Sequence, residues 1–468
     1  MTATNWPSAS EPRSAAEAQS AAVLRDYGDY VEAGPPDWRE RGGIRYYVRR
    51  GFVLVRDEYT ERARAILGQV DLPPVEAPDR PRTQRQHRPD GDRERLLRPP
   101  VDGDVVHGLR YIGIGRDRSV FGALAALRAG IRSGEDFTQE PLSPADVGPE
   151  HLIHITDHSG ICPADEPSFV LDQTPPDPPL CEDREAGRGV RVLVIDTGLD
   201  HKTVQRRPWL AGVTGDPDPG VGNGTLARYA GHGTFIAGVI RAVAPAAEVI
   251  VRAGLPAYLI AGETNPPGTA FERDLVAALQ HHLAHDHPDI ISLSAGSQTD
   301  EPAKLMVLEA FQRRILSQYK GIVVVAAAGN DSDRAPFWPA AGPWAVGVGA
   351  LAANWRSRAS FSNFGAWVDV YAPGERLVNA FPSGTYSYQE PPRSNNTQRF
   401  DGMAAWSGTS FSTPLVAGLI AARMSYTGEN GPAAAAALIA QARRDAIPGV
   451  GAVLLPPERR ISRQGCDV

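Results

Sequence analysis

Residues 190–195 form an almost unbroken apolar run that stops on Asp196-Thr197-Gly198-Leu199-Asp200. A strand with so little polar surface must be covered on both faces, which is the condition of a parallel sheet. Its terminal carboxylate then falls at the C-terminal end of the strand, where open α/β sheets gather ligands and catalytic groups. Further strand-like runs at 248–252, 290–293 and 322–326 are separated by helical patterns over about 271–285 and 303–318. This alternation predicts the α/β class: a mostly parallel sheet flanked by helices.

A chain of 468 residues exceeds the usual size of one core, so a second, smaller unit is expected. Residues 1–44 read as a disordered leader. Residues 45–157 read as a small α/β unit, with strands at 51–55 and 109–114, helices at 58–67 and 120–131, and a closing strand at 151–155. An Arg- and Pro-rich insertion at 73–100 interrupts it, with too little apolar content to pack. A Pro-rich linker follows at 158–189, then the main domain at 190–448 and a tail at 449–468. The formal net charge of -7 argues against nucleic acid as a partner, because that binding rests on a basic surface. No apolar run is long enough to span a membrane, and Met1 to Pro7 opens no secretory signal. A cytoplasmic location is the resulting expectation. Cys162, Cys181 and Cys466 are too scattered for a disulfide scaffold and read as reduced thiols; a Cys162–Cys181 bridge is the oxidising-compartment alternative.

Three Gly-rich segments carry chemistry. Asp196 ends the first apolar strand, His232 stands between glycines in Gly231-His232-Gly233-Thr234 before a helix, and Ser410 lies in Gly408-Thr409-Ser410-Phe411-Ser412-Thr413-Pro414 at another helix entrance. Pro414 is expected in that helix's first turn. A serine hydroxyl is a poor nucleophile near neutral pH; it needs a base within hydrogen-bond reach and a carboxylate to orient that base. Each segment alone has a plainer reading, as an N-cap serine, a structural histidine or a turn aspartate. Together, in the order Asp, His, Ser, they match the order found in subtilisin.

These segments resemble the signatures of the subtilisin-like serine proteases. The resemblance covers about 187–447 and implies the subtilisin-like fold, with the site at the C-terminal edge of the sheet. It implies Asp196, His232 and Ser410 as the triad, with Asn330 and the Ser410 N–H holding the oxyanion. Ser294, Ala295 and Gly296 resemble the strand whose backbone pairs with substrate, and the resemblance implies that Gly329 and Phe337 border the specificity pocket. Trp406 and Phe411 stand where the family often has methionine, and a long loop at 381–405 is expected on the cleft rim. The N-terminal unit is similar in position and element content to the family's prodomain, an intramolecular inhibitor.

The resulting expectation is an endopeptidase acting on protein or peptide substrates through an acyl-enzyme. The rivals are a catalytically silent binding protein of the same fold and a secreted degradative protease whose start is misassigned. No cofactor is required. His281, His282, His285 and His287 lack a carboxylate at matching spacing and read as helix-end residues rather than metal ligands. Asp216 and Asp218 read as turn residues, with calcium left open there and no metal assigned.

Overall fold

The structure is a computed structural model and describes residues 20, 23–24, 27–40, 43–74, 100–133, 136–155, 166–255, 268–299, 304–390 and 392–456. Most of the Arg-rich insertion, the first part of the expected linker, Cys162 and Cys466 lie outside the described residues.

The main domain is built on a seven-stranded sheet. Its order is Thr214–Gly215, Glu248–Ala253, Arg191–Asp196, Ile290–Leu293, Val323–Ala327, Ala345–Leu351 and Val370–Pro373. Every neighbouring pair is parallel. The alternation inside each strand explains the double burial. Val192, Val194, Val249, Val251 and Val325 join one core with the helices His232–Val243 and Thr409–Thr427. Leu193, Ile195, Ile250, Ile291 and Val324 face a second core with the helices Glu272–Asp286 and Met306–Arg314. After Arg191–Asp196 the chain adds Glu248–Ala253 on one side and Ile290–Leu293 on the other. The order therefore reverses at the strand that ends in Asp196, and a crevice opens there.

The expected rim loop at 381–405 is largely a hairpin. Leu377–Ser387 and Thr397–Trp406 pair antiparallel with a register shift between Ala380 and Ser383. Pro382 falls in that irregularity, where a missing N–H breaks no ladder bond; its presence is what disguised the strand.

The N-terminal unit contains a four-stranded antiparallel sheet in the order Val105–Val106, Leu109–Gly115, Gly51–Arg56, Val147–Gly148. The helices Thr60–Leu67 and Val120–Ala129 share its core through Ala63, Ile66, Leu124 and Leu127. On the other face, Leu54, Leu109 and Tyr111 belong to the same cluster as Met306, Leu308 and Phe311 of the main domain. Residues 27–34, placed in the leader by the sequence reading, include the strand Val31–Gly34, which pairs with Tyr46–Arg49. The strand at 151–155 does not close the N-terminal sheet. It is Leu152–Ile155, and it lies between two segments of the main domain. Residues 166–189, placed in the linker, lie on the main domain: Ser168–Phe169 pairs with Ala404–Ala405, and Glu166 accepts from Tyr386 Oη and Gln389 N–H. In the tail, Val453, Leu454 and Leu455 are buried.

Candidate active site

Asp196 is fully buried at its strand end. Its Oδ1 accepts from the Thr197 N–H at 2.7 Å, which fixes the carboxylate plane. His232 opens its helix after Gly231, whose φ of 84° is the left-handed conformation that glycine adopts without strain. A Cβ on Gly231 would also stand 2.3 Å from Pro382 Cδ of the hairpin. The His232 Nδ1 lies 2.8 and 2.9 Å from the two Asp196 carboxylate oxygens. With Nδ1 held there, Nε2 is the nitrogen left for proton exchange.

Ser410 enters through a different device from the one expected. The helix begins at Thr409, so Pro414 lies inside it rather than in its first turn. A proline there removes the N–H that would have bonded the carbonyl four residues back, and that carbonyl is Ser410's. Ser294 Oγ donates to it instead, at 2.8 Å. Thus Ser294, expected only as part of a substrate-pairing strand, also anchors the serine's own backbone. Ser410 is 1% exposed.

Two neighbours bring the serine helix to the histidine. The His232 ring lies 5.2 Å from the Phe411 ring and 5.3 Å from Trp406, edge-on to the latter. Phe235 completes the cluster, 4.6 Å from Phe411. These rings shield the Asp196–His232 pair from water, which strengthens its electrostatics. The two aromatic departures noted in the sequence are therefore walls around the imidazole.

Asn330 follows the strand Val323–Ala327. Its Oδ1 accepts from Thr409 N–H at 2.9 Å and from Thr409 Oγ1 at 3.0 Å. The oxygen end of the amide is thereby assigned, and the Nδ2 donors project from the opposite end. Gly329 N–H donates to the same Thr409 hydroxyl at 3.2 Å. Thr409 was not singled out in the sequence; its position beside Ser410 was the available signal.

The crevice is occupied by the chain itself. Leu152–Ile155 runs antiparallel to Ala295–Gly296, with Ile155 opposite Ala295 and His154 opposite Gly296. On its other edge it pairs with Thr269–Phe271. The Phe337 ring is fully buried and packs on both glycines named from the sequence: an added Cβ at Gly296 would meet Phe337 Cε1 at 2.3 Å, and one at Gly329 would meet Cδ2 at 3.0 Å. His154 packs edge-on against it.

The helix-end histidines and Asp216 make contacts of their own. His281 and His285 stack at 4.1 Å, and His282 Nδ1 is 2.9 Å from Asp286 Oδ2. Burial holds His282 below its usual value. Asp216 accepts from Arg252 and from the Ala253 N–H. Among the described residues no group of three His, Cys, Asp or Glu is placed to hold a metal ion, and no helix is long and apolar enough to cross a membrane.

Residues 187–453, more than half the chain, match the subtilase family. An intracellular serine protease of Paenibacillus polymyxa is 31% identical over 249 residues, covering 52% of this chain and 69% of its own length. Subtilisin Savinase of Lederbergia lenta is 32% identical over 245 residues, covering 50% of this chain and 76% of its own. Among solved structures, a cold adapted subtilisin-like serine proteinase is 22% identical, covers 63% of this chain and 96% of its own, and superposes with a TM-score of 0.43.

Proposed function

The chain belongs to the subtilase family of serine endopeptidases, and on that premise we propose that it cleaves peptide bonds through an acyl-enzyme on Ser410. The observation that carries the reading is the buried His232 imidazole held at Nδ1 by both oxygens of Asp196, at the point where the sheet order reverses. In this mechanism His232 Nε2 takes the Ser410 proton as the hydroxyl attacks the scissile carbonyl. The same nitrogen then returns the proton to the leaving amine, while Asp196 stabilises the intervening imidazolium. Water repeats the sequence to release the acid product. Asn330 Nδ2 and the Ser410 N–H, at the positive end of the serine helix, receive the oxyanion.

The test is labelling with a fluorophosphonate, followed by peptide hydrolysis. The label is expected on Ser410, with Ser410→Ala unlabelled and His232→Ala reduced to near background. Label on any other serine would overturn the reading. Asn330→Ala is expected to lower kcat by about 10²–10³-fold with KM little changed, a range carried over from the same loss in subtilisin rather than derived for this chain.

A second reading concerns the N-terminal unit. Leu152–Ile155 lies along Ala295–Gly296, the edge along which a substrate backbone would pair, so the unit acts as an intramolecular inhibitor at high effective concentration. Relief by self-cleavage follows, before Glu166 in the 158–189 stretch, because residues from Glu166 onward are tied to the hairpin. The Arg-rich insertion is the second-choice site. Purified wild type and Ser410→Ala are incubated and followed by mass and activity. Cutting confined to wild type, with activity rising in step, supports the reading; an uncut and fully active chain overturns it.

A further inference from the structure

Asp218 is a buried carboxylate, 4% exposed, that no step above uses. Its Oδ2 accepts from Thr197 Oγ1 at 3.0 Å and from the Gly231 N–H at 2.7 Å, and its Oδ1 accepts from the Gly220 N–H at 2.8 Å. Thr197 Oγ1 in turn accepts from the Gly233 N–H at 3.2 Å. One carboxylate and one hydroxyl therefore tie the residue after Asp196 to the residues on both sides of His232. The loop has no slack: Asp218 N–H donates to Leu199 O at 3.0 Å, and a Cβ on Gly198 would stand 2.8 Å from the Asp218 backbone. A carboxylate needed only to shape a turn gains nothing from burial, which penalises its charge.

We propose that Asp218 is a positioning residue for the peptidase reaction, holding Asp196 and His232 in register through Thr197 and Gly231 and placing a second negative charge beside that pair. This rests on the reading of Asp196, His232 and Ser410 given above. Burial, chiefly, and the Asp196 charge push the Asp218 carboxyl up to about 6, against the opposing pull of the Gly231, Gly220 and Thr197 donors. The charge is thus present at neutral pH and withdrawn in mild acid. The other groups nearby are already engaged. Asp196 faces His232 from the strand end, and Asp216, on the same loop, is paired with Arg252. Asp200 caps its own helix through the N–H groups of Lys202 and Thr203.

The test compares the full-length chain with Asp218→Asn, Thr197→Val and Thr197→Ser. Peptide kcat and KM and the rate of fluorophosphonate labelling are measured from pH 5 to 9. Asp218→Asn keeps the shape, removes the charge and leaves one donor facing an amide. It is expected to lose about tenfold in kcat with KM within about twofold. Its acid limb is expected to move to lower pH, because a negative charge beside the pair favours proton uptake there. Thr197→Val should reproduce the kcat loss, and Thr197→Ser should restore it. An unchanged kcat in Asp218→Asn overturns the proposal; so does a uniform fall with an unmoved acid limb, the signature of a purely structural role. Failure of wild type itself to take the label counts against the triad reading and is visible separately.

Discussion

Two side chains decide matters that the three motif residues leave open. The strand in the crevice reaches Ala295 at Ile155, and the next residue up that edge is Ser294, which bonds Ser410. The Phe337 ring lies against Gly296 and Gly329, so on the proposed function it takes up room that a substrate side chain at the cut position would need. Wild type is therefore expected to prefer glycine, alanine or serine there, and Phe337→Ala to admit phenylalanine and tyrosine. A cleavage-site library with both proteins checks this, and a wild-type preference for aromatic residues would sink it. Asp218 makes a stability prediction of its own. Its folded-state carboxyl is raised to about 6, so the folded chain holds that proton more tightly than the unfolded chain does. The resulting stabilisation is complete below the ordinary carboxylate range and is lost as pH rises through about 6, leaving ionised Asp218 with a cost of roughly 2–3 kcal/mol at neutral pH. Asn does not titrate. The Tm of Asp218→Asn relative to wild type should rise between pH 4 and 7, as scanning calorimetry would show; a constant difference would refute the assignment.

At the scale of elements, the helices that begin with His232 and Thr409 pack on each other across Gly418. A Cβ there would stand 2.4 Å from Val243 Cγ2 and 3.1 Å from the Ile240 carbonyl. Gly418→Ala must therefore spread the helices, at a cost of about 1–3 kcal/mol. Because Asp196 stays on the sheet while Ser410 moves with its helix, kcat should fall while KM changes little. Calorimetry and steady-state kinetics on the same preparation test this, and a variant of unchanged Tm and kcat would show that the contact yields freely.

For the whole molecule, the two units meet over buried charge. Arg49, 6% exposed, pairs with Glu150 in the N-terminal unit and with Asp274 at 3.4 Å in the main domain. Its guanidinium also lies 3.6 Å from the centre of the Phe271 ring, beside the strand in the crevice. Glu272 is fully buried and accepts from the His151 N–H on one side and from Val307 and Leu308 on the other. Removing Arg49 leaves the Glu150 carboxylate buried without that cation, a loss of about 3–5 kcal/mol. If the N-terminal unit restrains the enzyme, Arg49→Ala should raise the initial peptidase rate of the full-length chain several-fold as its Tm falls. A lower Tm with an unchanged rate would separate stability from restraint and discard the inhibitory role.

The parallel sheet and its flanking helices were legible in the sequence as apolar runs of strand length alternating with helical patterns; Asp196, His232 and Ser410 stood out as candidates through glycines at tight turns and a hydroxyl at a helix entrance, and Asn330 through the family resemblance alone. The sheet-forming hairpin at 377–406 was missed because Pro382 breaks the local signal, and only its partner strand shows that the break is a register shift. Ser294 bonding Ser410, Asp218 behind Thr197 and Leu152–Ile155 in the crevice join residues 116, 21 and about 140 positions apart. No periodicity records such a meeting. The sequence determined which chemical groups the chain carries and the ends of the elements on which they stand. Packing of distant segments decided which of those groups touch, because burial and hydrogen bonding between segments far apart in the chain depend on the closed fold and on nothing shorter.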